Sequence, residues 1–228
     1  MNTLDILKEI MNNNSDIISY RFHTFPSKSL LQDVINLDEK DVDLINKALS
    51  VRDKYRLPFW DSIMLSFFGN ENYSKTILHQ ALHHNQRDDL YDINRDEFLS
   101  NGFFFNKKER LAINSNVILK QNKNSHIPML DFHIPVSESN LDIVIDVLKE
   151  LKVKGGYILE SGESYHFIGD YYINEEFLID FLAKALFFAP IIDRAWIGHQ
   201  ILERSCSLRI DKKHGIYPRM IRYISNNN

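Results

Sequence analysis

Residues 129–193 read MLDFHIPVSESNLDIVIDVLKELKVKGGYILESGESYHFIGDYYINEEFLIDFLAKALFFAPIID, and the elements this stretch encodes decide the fold. Met129 to Ile134 is a short apolar run, a strand. Asn140 to Leu151 carries Leu141, Val144, Ile145 and Leu148 at helical spacing, with Ser139 and Asp142 placed as a capping box. Gly155 and Gly156 turn the chain into a strand, Tyr157 to Glu160, and the Ser161-Gly162 turn folds Tyr165 to Ile168 back on it as a hairpin. Asn174 caps a second helix in which Phe177, Phe181, Leu182, Ala185 and Ala189 keep helical spacing until Pro190. Ile191 to Asp193 is a last short strand. The order β, α, β, β, α, β is that of a split βαβ unit, RRM-like, with two helices on one face of a small sheet. Its other face is expected to stand open and to carry a site.

Outward from this unit the pattern is α+β. Met1 to about Asn14 forms an amphipathic helix with Leu4, Leu7, Ile10 and Met11 on one face, and Ile17 to Phe25 a strand. Leu37 to Tyr55 is a helix capped by Asp38, with Val42, Ile45 and Leu49 as its buried stripe. Phe59 to Phe68, capped by Asp61, and Tyr73 to His84 continue the helical region. Phe103 to Phe105 and Ser115 to Lys120 are strands. Beyond the central unit, Ile197 to Leu202 is helical, and Leu208 to Ile210 and Ile216 to Ile224 supply the last strands. The expected division is a mainly helical region over 1–100 and a catalytic-type core over 101–228.

The totals exclude some functions. With 228 residues, 44% of them hydrophobic, the chain buries an ordinary core; its net charge of -4 argues against non-specific coating of nucleic acid. One cysteine, Cys206, excludes an internal disulfide, and no apolar run has the length of a membrane span. The start of the chain lacks a signal peptide's apolar core, so a cytoplasmic location is expected. Charge is uneven: residues 1–100 hold 11 Lys and Arg against 16 Asp and Glu, whereas Glu203 to Arg222 holds six basic side chains against two acidic ones. That patch, Arg204, Arg209, Lys212, Lys213, Arg219 and Arg222, suits phosphate.

Asp131 and His133 are two apart, so in a strand they share one face while Leu130, Phe132 and Ile134 fill the other. Both are able to bind a divalent ion. The topology brings His166, after the hairpin turn, and Asp193, at a strand end, close to them. Gly162-Glu163-Ser164 is not a nucleophile elbow, because Tyr165 and His166 stand where glycine is needed and a strand does not lead into a helix there. His79 and His83 are four apart on a helix without a Glu or third ligand, and Trp60 and Trp196 read as core.

Asp131-Phe132-His133, Ser164-Tyr165-His166 and Ile192-Asp193 together resemble the three motifs of the archaeo-eukaryotic primases and primase-polymerases: an acid pair separated by one residue, Ser-x-His on a hairpin, and a final Asp. His199 to Gly215 is similar to the primase segment in which His, Arg, Ser and Lys hold nucleotide phosphates. The resemblance covers about 90 residues and implies a nucleotidyltransferase core for primer synthesis or extension. Asp131, His133 and Asp193 would hold divalent metal, Mg²⁺ or Mn²⁺. Ser164, His166, His199, Arg204, Ser207, Arg209, Lys212 and Lys213 would bind the nucleotide. It further implies a DNA or RNA primer-template and a helicase or nuclease partner, and no membrane. His133 in place of the second acid marks a one-Asp variant. Two alternatives stand beside the enzyme: a degenerate module that binds nucleotide or nucleic acid in a mobile-element or defence system, and a structural protein whose sheet binds no nucleotide.

Overall fold

The computed structural model describes residues 1–26, 39–57, 59–67, 77, 82, 90–100, 109–212 and 215–225. The chain forms two compact units, one of Met1–Phe25 with Arg87–Asn228 and one of Pro26–Gln86. The partition therefore does not fall at residue 100: the first helix and strand belong with the C-terminal part, because their apolar faces close its core. Asp38, Phe103 to Phe105, His79, His83 and most of the Tyr73 to His84 helix lie outside the described residues.

In the smaller unit, α2 (Glu39–Tyr55) packs on α3 (Phe59–Phe67) around Leu44, Ile45, Ala48, Ile63 and Ile77. The buried stripe of α2 is Leu44, Ile45 and Ala48, and Leu49 is exposed, a rotation of the expected face. Asp61 lies inside the first turn of α3 rather than before it. Trp60 packs against this core.

The larger unit begins with α1 (Thr3–Asn13), whose cap Asn2 and Asp5 exchange side-chain and backbone hydrogen bonds in a capping box. One antiparallel sheet follows the order β2 (Leu90–Asn94), β1 (Ile17–Pro26), β3 (Glu109–Leu119), β4 (Lys123–His126), with β8 (Ser207–Arg209) also pairing β3. The short helix α4 (Arg95–Leu99) follows β2 and buries Phe98 against Tyr20 and Phe22. The second sheet has the order β5 (Met129–Asp131), β7 (Tyr165–Gly169), β6 (Gly155–Glu160), β9 (Arg219–Ser225), again antiparallel throughout.

Because β5 and β6 both run antiparallel to β7, they are parallel to each other with β7 between them. This is the split βαβ arrangement, closed by α5 (Glu138–Glu150) and α6 (Glu175–Ala185). Ser137, not Ser139, caps α5: its hydroxyl accepts from Asn140 N at 3.2 Å. The Tyr165 hydroxyl explains the earlier start, since it donates to Ser137 O and accepts from Ser137 N, each at 2.7 Å, and anchors the cap to β7. Asn174 caps α6 as expected, but Leu178 is buried where Phe177 is 63% exposed. The fourth strand shrinks to one antiparallel bridge, Phe132 with Ile192, before α7 (Arg194–Glu203).

The expected open face is covered. Met129, Tyr157, Leu159, His166 and Ile168 project from the side of the sheet opposite Leu130, Ile158 and Phe167, yet all are buried. Met129, Tyr157, Leu159 and Ile168 share one core with Ile6, Ile10, Tyr20, Ile113 and Val117 from α1, β1 and β3, and Tyr157 lies beside Glu9 of α1. Tyr157-Ile158-Leu159 is apolar at every position, the pattern of a strand buried on both faces. No described helix is long and apolar enough to cross a membrane.

His126, on β4, ties that strand to β3 and to the segment that leads into α6. Its Nδ1 lies 3.1 Å from the Ser115 hydroxyl, which accepts from Cys206 N at 2.8 Å, and its backbone pairs with Ile173. Burial pushes its imidazole down from 6.5 to about 4. Between those two values the unfolded chain takes up a proton that the folded chain refuses, so stability falls as pH drops through this window, by about 3 kcal/mol in all. Urea midpoints at pH 7 and pH 4.5 check this: the His126→Gln variant should lose that part of the difference. An equal acid loss in both proteins would contradict it.

Candidate functional site

The site is built at the carboxyl end of β5. Asp131 and His166 are direct cross-strand partners, so their side chains stand on one face; His166 Nε2 is 3.6 Å from Asp131 Oδ1. The Asp131 carboxylate is 30% exposed and the His166 imidazole 7%. On the other side of β5, Asp193 N donates to Asp131 O at 3.0 Å, next to the Phe132–Ile192 bridge. Asp193, Asp131 and His166 thus lie side by side across three neighbouring strand segments. His133 is exposed just past the strand end, its N–H donating to Ile191 O at 2.8 Å.

Asp193 is also the N-cap of α7: its Oδ1 accepts from Trp196 N at 3.0 Å. The positive end of a helix therefore points at the carboxylate row. A buried polar network seats this helix. Trp196 Nε1 donates to Ser207 O at 3.0 Å, Ser207 N to Gln200 Oε1 at 2.8 Å, and Asn114 Nδ2 to the hydroxyls of Ser205 and Ser207, each at 3.1 Å. Ser207 and His199 are buried. Trp196 is partly buried against the core, so its indole serves packing and hydrogen bonding together.

The cationic segment is divided among different tasks. Arg204 ends α7 in a left-handed conformation, and its guanidinium pairs with Glu175 at 2.5 Å. The ten residues of α7 put it about 15 Å from Asp193, so the fold does not gather it with the carboxylate row. Arg209 Nη2 donates to Ser161 O at 2.6 Å and Nη1 to Asp211 O, so it pins β8 to the hairpin turn before His166. In that turn the Ser161 and Ser164 hydroxyls are 3.3 Å apart. The Lys212 ammonium lies over the Tyr217 ring. Lys213 lies outside the described residues.

The family model for archaeo-eukaryotic primase 1D-like proteins matches residues 91–221. The chain belongs to the archaeo-eukaryotic primase 1D-like family. The matched span begins in β2 and ends in β9, so it reaches every strand of the two sheets except β1 and takes in the whole carboxylate row. No curated protein and no solved structure matches the chain. The fold is thus that of a primase-like nucleotidyltransferase, and α1, β1 and the smaller unit precede the matched span.

Among the described residues, no three His, Cys, Asp or Glu side chains converge into a metal cage. The row offers two carboxylates, Asp131 and Asp193, one of whose oxygens is engaged as the cap. Mg²⁺ is commonly held this way, by one or two carboxylates with the remainder of its shell from water and substrate phosphates. Gln200 and Asn114 escaped the sequence reading, and so did the hydrogen bonds of Trp196, which reads as core; the spacing of Asp193 and Trp196, three apart at a helix start, is the signal that was present.

The two roles of Asp193 separate by substitution. Asp193→Asn keeps the cap and should leave the melting temperature within a degree or so, whereas Asp193→Ala should lower it by about 2–4 °C. Equal melting of all three proteins would contradict the cap.

Proposed function

We propose that the chain binds a nucleoside triphosphate with Mg²⁺ or Mn²⁺ beside the row Asp193, Asp131, His166 and transfers the nucleotide to a primer terminus. One observation carries the reading: residues from three separate motifs lie side by side at one end of β5, on one face, with one of them at a helix N-terminus. Carboxylates at Asp131 and Asp193 suit a hard cation, and the ion would neutralise charge on the triphosphate. His166 would donate a hydrogen bond to a phosphate oxygen. Attack by a primer 3′-hydroxyl on the α-phosphate expels pyrophosphate, which Arg209, held on the hairpin turn that precedes His166, would help to stabilise.

A second reading has its own observation. His133 stands where the acid pair calls for a carboxylate, and it is exposed just past the strand. A neutral imidazole neither bridges two hard cations nor adds negative charge. The same row would then serve a module that holds nucleotide or nucleic acid for a helicase or nuclease partner, without transfer.

Extension of a labelled primer on a template, with Mg²⁺ or Mn²⁺ and all nucleotides, separates the two. Transfer predicts growth of the primer by wild type, a loss of about 100-fold or more in Asp131→Ala, and a gain with Mg²⁺ in His133→Glu. No growth with either metal, together with measurable triphosphate binding, selects the binding module. Absence of both defeats the two readings alike.

A further inference from the structure

The connection from β8 to β9 is clamped at both ends to neighbouring residues of one hairpin. Arg209 Nη2 donates to Ser161 O at 2.6 Å, and Arg219 donates from Nε and Nη2 to Glu160 Oε2 at 3.1 and 2.9 Å. Glu160 pairs with Tyr165, and Leu159 with His166, so both clamps grip the sheet at the end that carries Asp131 and His166. Between them, Pro218 is buried and holds the chain down, while Lys212, Ile216 and Tyr217 are exposed. Tyr217 is 50% exposed although Lys212 Nζ sits 5.0 Å from its ring centroid.

A lone exposed tyrosine is ordinary on a protein surface. Tyr217 differs in two ways: the Arg209 and Arg219 side chains that flank its connection are both tied to the hairpin that supplies His166, and a cation covers part of its ring. An aromatic face with an ammonium beside it matches one nucleotide of an unpaired strand, whose base stacks while its phosphate is neutralised. A paired base keeps both faces inside its own stack and offers none to the ring.

We propose that Tyr217 and Lys212 form a docking platform for unpaired nucleic acid, which delivers the strand to the end of the sheet where Asp131 and His166 stand. The proposal rests on the primase-like reading of that site. Tyr217 touches a base and Lys212 a phosphate; neither touches the incoming triphosphate.

Fluorescence anisotropy with a labelled single-stranded oligodeoxythymidine tests this, with the matching duplex and a separate nucleoside triphosphate titration alongside. Tyr217→Ala should weaken single-strand binding about tenfold, and Tyr217→Phe should keep it. Lys212→Ala should lower the slope of log affinity against log salt by about 0.7. Triphosphate affinity and melting temperature should be unchanged in all three. Wild-type affinity in Tyr217→Ala, equal binding of single strand and duplex, or no oligonucleotide binding by wild type would each overturn the platform. A parallel loss of triphosphate binding in Tyr217→Ala would also overturn it, by making Tyr217 part of the site itself. If wild type binds no triphosphate while the oligonucleotide results hold, the site reading fails and the platform stands.

Discussion

Three backbone hydrogen bonds at the end of β5 hold the proposed site together. Phe132 N donates to Tyr165 O at 2.9 Å, His133 N to Ile191 O at 2.8 Å, and Asp193 N to Asp131 O at 3.0 Å. They pair one short segment with a neighbour on each side, and so fix the side chains of three distant parts of the chain within adjacent strand spacings. A slip of one residue in either pairing would turn Asp131 or its partner to the helix face. The packing that prevents such a slip is visible on both sides of the sheet: Tyr165 holds the start of α5, and Met129, Leu159 and Ile168 are sealed beneath α1 and the first sheet.

Most of the core unit was legible because its signals are local. Asn174 before an apolar periodic run, Gly162 in a tight turn and the alternation around Asp131 each act within a few residues, and the order of elements yields the split βαβ unit. What failed was the environment of those elements. The face of β6 and β7 was expected to be open because two helices cover only one side, yet Tyr157-Ile158-Leu159 carries no polar alternation. Its apolar continuity meant a second cover, supplied by α1 and β1 from the far end of the chain. The division at residue 100 failed for the same reason, since no local feature of Ile6, Ile10 or Tyr20 states which distant surface they seal. Asp193 was read as a strand residue, whereas its carboxylate also caps the helix that follows.

The cationic segment shows a different limit. Counting charges between Glu203 and Arg222 yields a basic patch, but a guanidinium has several donors and a fold spends them on whatever acceptors lie near. Arg204 is taken by Glu175, Arg219 by Glu160, and Arg209 by the carbonyls of Ser161 and Asp211. Two of these three act on the β6–β7 hairpin. Their effect is to place chain, in particular the turn that precedes His166 and the connection that carries Tyr217. Charge density along a sequence does not separate a phosphate ligand from a clamp.

The central claim is that Asp193, Asp131 and His166 form one place where a divalent ion and a triphosphate meet. Titration of the isotopically labelled protein with Mn²⁺ and a non-hydrolysable nucleoside triphosphate tests it directly, because a paramagnetic ion broadens the signals of the nuclei nearest to it. The amide signals of Asp131, His166 and Asp193 should broaden at lower Mn²⁺ than any others, and Asp131→Ala should remove the effect. Broadening centred on acidic side chains elsewhere, or unchanged by Asp131→Ala, would contradict the account.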